Sequence, residues 1–280
     1  MVEPSWTKTD MDINAKQNET VDKEISLENQ VALVTAGASG LGKGIAIELA
    51  RCGAQVWIWD QDGQALSDSV IDFKDFGLTV HSMKLNLLEE SEIKRAFDLL
   101  LRKSGKLDIL VNNAGGSLHT PFKFMDETDD DWARVFDLNL ITTVRLTRLA
   151  LRVMIENKYG RIVNLGSKAG RYGSLFAGAN YVAVKGAIHA LTIQLAQEFG
   201  PLGITVNAVC PGATMTPRVK GLLAQRQSAE ERQRIVNEIP VRRHGEVEDI
   251  ARTVRFLVSK RADFLTGLLM DVNGGQVMST

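Results

Sequence analysis

Short apolar runs recur along this chain, and stretches with a helical repeat separate them. The first 25 residues are polar and without period, and the pattern becomes regular from Leu27. Val31-Ala-Leu-Val-Thr35 reads as a strand, a Gly-rich turn follows, and Ile45 to Cys52 reads as a helix. Gln55-Val-Trp-Ile-Trp59 is a second strand closed by Asp60, residues 63–75 look helical, and Leu78 to Leu85 reads as a third strand. Ser91 to Lys103 has helical spacing ahead of a fourth strand at Leu107-Asp-Ile-Leu-Val111. A long helix is predicted from Thr128 to Asn157, with Thr128 as its N-cap and acids in its first turn that suit the helix dipole. Gly160 to Leu165 is strand five, a helix spans Asn180 to Phe199, and Ile204 to Val209 is strand six. Residues 213–240 lack a strong period and predict a loop with short helices. Glu246 to Leu257 is helical, and Leu268 to Val272 is the last strand.

Mostly apolar strands alternating with helices predict a parallel sheet covered on both faces. The expected architecture is a single α/β domain, a Rossmann-type doubly wound sheet of about seven strands. It would run over residues 26–280, with residues 1–25 as a flexible arm and a substrate-binding loop near 213–240.

Composition adds exclusions. The 280 residues are 44% hydrophobic and 24% charged, with a formal net charge of −1. No basic surface points to nucleic acid or an anionic membrane. No apolar run approaches the ~20 residues of a membrane span. The N-terminal stretch has neither the apolar core of a secretory signal nor the arginines of a transit peptide. Cys52 and Cys210 are read as reduced, buried and inert, so the cytoplasm is the expected compartment. His81, His119, His189 and His244 show no ligand spacing and are read as structural or surface residues, with His119 the one placed to touch substrate. No metal is expected.

The candidate chemistry starts at the turn Thr35-Ala-Gly-Ala-Ser-Gly-Leu-Gly-Lys-Gly44. Glycines here let the backbone turn tightly and approach a pyrophosphate, which then meets the unpaired N–H groups of a helix N-terminus. Asp60 lies the expected ~20 residues beyond, where a carboxylate accepts hydrogen bonds from the ribose hydroxyls of NAD and repels the 2′-phosphate of NADP. Neither Gln61 nor Ser39 offers a cation to such a phosphate, so NAD is the expected cofactor. Lys43 is read as a solvated first-turn residue. Further on, Tyr181 and Lys185 stand four apart and share a helix face, where the ammonium favours the phenolate.

Together these residues resemble the short-chain dehydrogenase/reductase family over about 25–275. The family's Thr-Gly-x-x-x-Gly-x-Gly turn corresponds to Thr35, Ala36, Gly40 and Gly42, and its Asn-Asn-Ala-Gly segment to Asn112 through Gly115. Its helix Asn matches Asn139, its Ser after strand five Ser167, and its Tyr-x-x-x-Lys pair Tyr181 and Lys185. Its Pro-Gly segment is Pro211-Gly212, with Thr216 at the expected Thr. The tail from Arg243 to Gly275 is similar to the subgroup of 3-oxoacyl reductases and polyol dehydrogenases. Three departures stand out: Ala36 replaces a Gly, Asn86 replaces an Asp, and the stretch from Ser167 to Tyr181 is one residue longer than usual.

The resemblance implies hydride transfer between NAD and a carbinol carbon, interconverting a secondary alcohol and a ketone. It implies Tyr181 as general acid or base and Lys185 as the group that lowers its pKa and holds the nicotinamide ribose. Ser167 would hold the substrate oxygen about 3 Å from the Tyr oxygen, and Asn139 would bind water near Lys185. Thr35, Gly37, Ser39, Gly40, Leu41 and Gly42 would form the phosphate turn. Asp60, Asn86, Leu87, Asn113, Ala114 and Gly115 would line the adenosine side. Pro211 and Gly212 would also contact the cofactor, with Thr214 and Thr216 at its pyrophosphate or carboxamide. A homodimer or homotetramer built on helices 128–157 and 180–199 is implied as well.

Polyols or sugars, 3-oxoacyl thioesters, cyclic diols and aryl ketones all stay open as substrates. A nucleotide-binding scaffold or redox sensor without turnover is the alternative to an enzyme. The pocket is expected from 168–178 and 213–240, where Arg171, Tyr172, Leu175 and Phe176 mix charge, hydroxyl and apolar surface. Lys168 and Arg171 are candidate contacts for an anionic substrate.

Overall fold

Along β1 (Val31–Thr35), Ala32 and Val34 face one side of the sheet, Val31 and Leu33 face the other, and all are buried. In β2 (Gln55–Asp60), Val56 and Ile58 oppose Trp57 and Trp59 in the same way. Strands that are apolar on both faces need cover on both. The computed structural model describes residues 25–174, 177–216, 219–221 and 228–278. Residues 1–24 of the predicted N-terminal arm, Leu175 and Phe176, and parts of the 213–240 loop lie outside the described residues.

Among the described residues the remaining strands are β3 (His81–Lys84), β4 (Ile109–Asn112), β5 (Gly160–Leu165), β6 (Ile204–Pro211) and β7 (Leu269–Val272). All neighbours pair in parallel, in the order β3-β2-β1-β4-β5-β6-β7. The helices are α1 (Gly40–Arg51), α2 (Gly63–Asp75), α3 (Glu90–Ser104), α4 (Asp129–Phe136), α5 (Thr142–Asn157), α6 (Ala179–Phe199), α7 (Ala229–Glu238) and α8 (Val247–Val258). Ile45, Leu49, Phe73, Ile250 and Val254 bring α1, α2 and α8 into the core on one face. Ile93, Leu100, Leu146, Met154 and Ala196 bring α3, α5 and α6 into the core on the other. The strand order reverses between β1 and β4, and the loops leaving their C-terminal ends part there to open a crevice. No helix of the described residues is long and apolar enough to cross a membrane.

Several boundaries differ from the sequence expectation for local reasons. Helix α1 begins at Gly40, not Ile45. Its glycines are poor helix formers, but a Cβ on Gly44 would lie 2.1 Å from Val247 Cγ1, so a bare backbone is what lets α1 close on α8. Strand β3 shrinks to four residues; before it, the Leu78 N–H turns back to the Phe73 carbonyl. The predicted 128–157 helix is split by a π turn at Asp137–Ile141, which carries Asn139. Thr128 does cap it, accepting from the Asp131 N–H while the Asp131 carboxylate accepts from the Thr128 N–H. A helical turn at Ala169–Tyr172 follows β5.

A buried polar chain fixes the ends of the central strands to their helices. Asn112 donates to Thr147 Oγ1 at 3.1 Å and to Asn164 Oδ1 at 2.9 Å, and Asn164 donates to Thr192 Oγ1 at 2.9 Å. The four residues are essentially inaccessible and join β4 and β5 to α5 and α6. Asn164→Ala would leave one donor and one acceptor bond unmade in the interior, at a cost of about 3 kcal/mol. Urea unfolding should show that loss; a change under about 0.5 kcal/mol would mean that the chain adds nothing to stability.

Candidate active site

The turn after β1 is built around a place where only glycine fits. A Cβ on Gly42 would stand 2.2 Å from the Ala36 carbonyl oxygen and 2.6 Å from Asn113 Nδ2. Asn113 uses that closeness, donating to the carbonyls of Thr35 (2.9 Å) and Ala36 (3.1 Å). Thr35 Oγ1 in return accepts from the N–H groups of Asn113 and Ala114, both at 2.9 Å. The segment after β4 is thus bonded to the turn after β1. Ala36 holds φ at +47°, a left-handed conformation that costs a residue with a Cβ about 1–2 kcal/mol. The Cβ of Ala36 therefore adds strain to the turn.

Helix α1 starts at this turn with no side-chain cap on Ser39 and no acid in its first turn. Helices α3 and α4, by contrast, both begin with acids. The N-terminus of α1 therefore keeps its positive end, and Ser39, Gly40 and Leu41 present it to a cavity of about 430 Å³. That arrangement suits a pyrophosphate. At the far side of the turn, Asp60 accepts from the Ala38 N–H and the Asp62 N–H, both at 3.1 Å. Its carboxylate ties the turn to the end of β2. Asn86 caps its own turn, accepting from the Leu88 N–H at 3.0 Å, with buried Leu87 beside it. Lys43 is not simply solvated: it pairs with Asp72 on α2.

The cavity wall collects Asn113 and Gly115 after β4, Ser167 after β5, Tyr181 and Lys185 on α6, and Pro211, Gly212, Thr214 and Thr216 after β6. Of the sequence-predicted residues, Thr35, Gly37, Gly42, Asp60, Asn86, Leu87, Ala114 and Asn139 stand outside the wall that this cavity defines. Gly37 packs under the turn, where a Cβ would meet Ile58 at 2.8 Å.

Lys185 is buried, its Nζ donates to the Leu165 carbonyl at 2.7 Å, and it lies 5.7 Å from the centroid of the Tyr181 ring. Burial brings its pKa down to about 8. Ser167 Oγ accepts from the Ala169 N–H at 3.1 Å, which leaves its hydroxyl proton for a partner in the cavity. Asn139, 1% exposed, spends its side chain on backbone. It accepts from the Gly116 N–H and donates to the carbonyls of Gly116 and Val135, at 3.0, 3.0 and 2.8 Å. A Cβ on Gly115 would lie 2.4 Å from Asn139 Oδ1 and 3.5 Å from Lys185 Nζ, so these three meet. The amide of Asn139 is a clamp on the β4 loop, and the π turn is what aims it there.

Two loop cations expected to face an anion are committed elsewhere. Arg171 pairs with Asp271 at 3.1 Å and with the Leu269 carbonyl at 3.0 Å, and Lys168 donates to Gln276. His189 is the residue whose place sequence reasoning missed. It is buried beside Ser167 and Cys210, and it continues the four-residue spacing of Tyr181 and Lys185 on the same helix face, a signal that was legible. Burial first, then the charges of Lys185 and Arg171, hold its pKa at about 4, while burial chiefly pushes the Cys210 thiol up to about 12. His119 is exposed in the loop after β4, with φ at +59°, and is not among the residues that line the cavity. Among the described residues no group of three His, Cys, Asp or Glu could hold a metal.

Residues 35–276 match the family described as enoyl-(acyl carrier protein) reductase. The chain is 36% identical to the 3-oxoacyl-(acyl-carrier-protein) reductase FabG of Aquifex aeolicus, over 90% of this chain and 99% of that one. It is 37% identical to the 2,3-dihydroxy-2,3-dihydro-p-cumate dehydrogenase of Pseudomonas putida strain F1, over 91% and 96% of the two chains. Among solved structures, an NAD+-bound xylitol dehydrogenase superposes with a TM-score of 0.82 at 31% identity, covering 89% of this chain and 99% of its own.

The burial of Lys185 carries a pH signature. Its folded pKa of about 8 lies below the 10.5 of an unhindered lysine. The protonated ammonium therefore costs stability at every pH below about 8, and the cost fades as pH rises from there toward the unfolded value. Lys185→Met should make the cofactor-free protein about 2 kcal/mol more stable at neutral pH, with the gap closing on the alkaline side. Urea melts between neutral pH and pH 10.5 test this; a variant less stable at neutral pH would contradict the burial cost.

Proposed function

The chain belongs to the short-chain dehydrogenase/reductase family, and from that premise we propose that it is an NAD-dependent enzyme interconverting a secondary alcohol and a ketone. The observation that carries this reading is the gathering of Ser167, Tyr181 and Lys185 on one cavity wall, beside an uncapped helix N-terminus. Bound NAD supplies the hydride acceptor in oxidation and, once reduced, the donor in reduction. Tyr181 takes the substrate hydroxyl proton in oxidation and returns it in reduction. The Lys185 cation favours the phenolate that accepts that proton. Ser167, with its oxygen held by the Ala169 N–H, donates to the substrate oxygen and fixes its distance from Tyr181. Asn139 acts by holding Gly116, which keeps the β4 loop against Lys185.

Asp60 supports NAD over NADP. Its carboxylate holds the Ala38 and Asp62 N–H groups beside the turn after β1 and has lone pairs left for ribose hydroxyls, while Lys43 is tied to Asp72. Lys185 is the only charged residue among the described ones that line the cavity, which favours an uncharged substrate such as a polyol or cyclic diol. A 3-oxoacyl thioester is the second reading, supported by the similarity to FabG. The two cysteines are buried thiols, in keeping with a reducing compartment such as the cytoplasm.

A homodimer or homotetramer is part of the same reading. Helix α6 is apolar on nearly every side, and Ile193 on α6 and Ile155 on α5 stand exposed. Gel filtration should give two or four copies, and a monomer would remove that part of the proposal. Tyr181→Phe should keep NAD affinity and lose about 10²-fold or more of turnover; near-wild-type rates would sink the assignment of Tyr181. Asp60→Ala should narrow the ratio of NAD to NADP efficiency by about tenfold or more, and an unchanged ratio would take Asp60 out of the ribose site.

A further inference from the structure

His189 lies one helical turn beyond Lys185, with its ring pressed between the two glycines that bracket Ser167. A Cβ on Gly166 would stand 2.6 Å from His189 Nε2, and one on Gly170 would stand 2.9 Å from Cε1. Those two positions leave room for the ring and for little else. The Ser167 N–H points inward at Nε2, 3.4 Å away. The flanking Gly166 and Lys168 N–H groups donate to the Val209 and Pro211 carbonyls of β6, at 2.8 and 3.2 Å, and the Ser167 N–H between them turns to His189. The Ser167 carbonyl meanwhile accepts from the Gly170 N–H, so the short turn is closed on its outer side and braced by the imidazole on its inner side.

We infer that His189 is a positioning residue that, as a hydrogen-bond acceptor at Nε2, sets the place of Ser167 and through it the hydroxyl that meets the substrate oxygen. This rests on the proposed role of Ser167. An Nε2 that accepts is an unprotonated nitrogen, so the neutral ring carries its proton on Nδ1. Cys210 Sγ lies 3.2 Å from the same nitrogen. Its thiol keeps its proton and can donate to the same unprotonated nitrogen. The cations Lys185 and Arg171 face the ring and add to the preference for its neutral form.

The test compares the wild type with His189→Leu and His189→Gln. Leucine fills the space without an acceptor, while glutamine restores an oxygen that can take the Ser167 N–H. With a secondary alcohol that the wild type oxidises, His189→Leu should lower kcat about tenfold or more and leave NAD affinity unchanged. His189→Gln should recover most of that loss. Nitrogen-15 NMR of the wild type should place the ring proton on Nδ1. Exchange of the Ser167 amide should be about tenfold or more faster in the leucine variant and close to wild type in the glutamine variant.

The inference is overturned by a wild-type ring protonated on Nε2, by wild-type kcat and Ser167 exchange in His189→Leu, or by a folded His189→Gln as impaired as His189→Leu. Should the leucine variant not fold, the wild-type tautomer and the glutamine variant decide. Should the wild type oxidise no alcohol and reduce no ketone, the functional reading falls, and the tautomer and exchange measurements still decide the role of His189.

Discussion

The Lys185 ammonium sits in the interior with its Nζ bonded to the last carbonyl of β5, at Leu165, and much of the site is arranged around keeping it there. A buried cation without compensation is expelled or loses its proton. Here burial takes its pKa only to about 8, so it is still mostly charged at neutral pH. Gly115 makes the space by having no Cβ, and Asn139 clamps the adjoining Gly116 so that the space persists. The helix that carries Lys185 also carries Tyr181, with the ring within 6 Å of the charge because four residues separate the two on one helix face. Stability is given up for this arrangement, since an apolar side chain would sit there at lower cost.

The parallel sheet supplies the rest by geometry. Every strand ends on the same side, so the loops after β1, β4, β5 and β6 converge on one crevice. Each loop contributes a different function. The loop after β1 brings the uncapped N-terminus of α1, that after β4 a wall fixed by Asn113 and Asn139, that after β5 the Ser167 hydroxyl, and that after β6 two threonines. The pieces are held to each other by polar bonds: Thr35 to Asn113, Asn112 to Asn164, and Asn164 to Thr192. Strain is tolerated within this frame, as at Ala36, where a left-handed backbone persists despite a Cβ because its neighbours determine it.

Much of this was legible in the chain. Continuous apolar runs such as Val31 to Val34 announce strands buried on both faces, and Gly40 and Gly42 announce a tight turn into a helix. The order of Asn112–Gly115, Ser167, Tyr181 and Lys185 then points to one crevice, and the structure brings the last three together. What was not legible depends on contacts between segments distant in sequence. The close approach of α1 to α8 rests on Gly44 facing Val247, and the direction of Arg171 is set by Asp271, roughly a hundred residues on. The break at Asn139 looks like ordinary helix until its amide finds Gly116. The spacing from Tyr181 and Lys185 puts His189 on their helix face, but nothing in its own neighbourhood of sequence says that Gly166 and Gly170 leave a slot for its ring.

The central claim is that this crevice moves a hydride and a proton between NAD and a carbinol. The most direct measurement is the reduction of NAD by the wild-type chain across a panel of secondary alcohols, each prepared also with deuterium on the carbinol carbon. Reduced nicotinamide should accumulate with at least one of them, and more slowly from its deuterated form. Binding of NAD with no turnover of any alcohol, and none of the matching ketones with reduced NAD, would contradict the claim and leave a nucleotide-binding protein without chemistry.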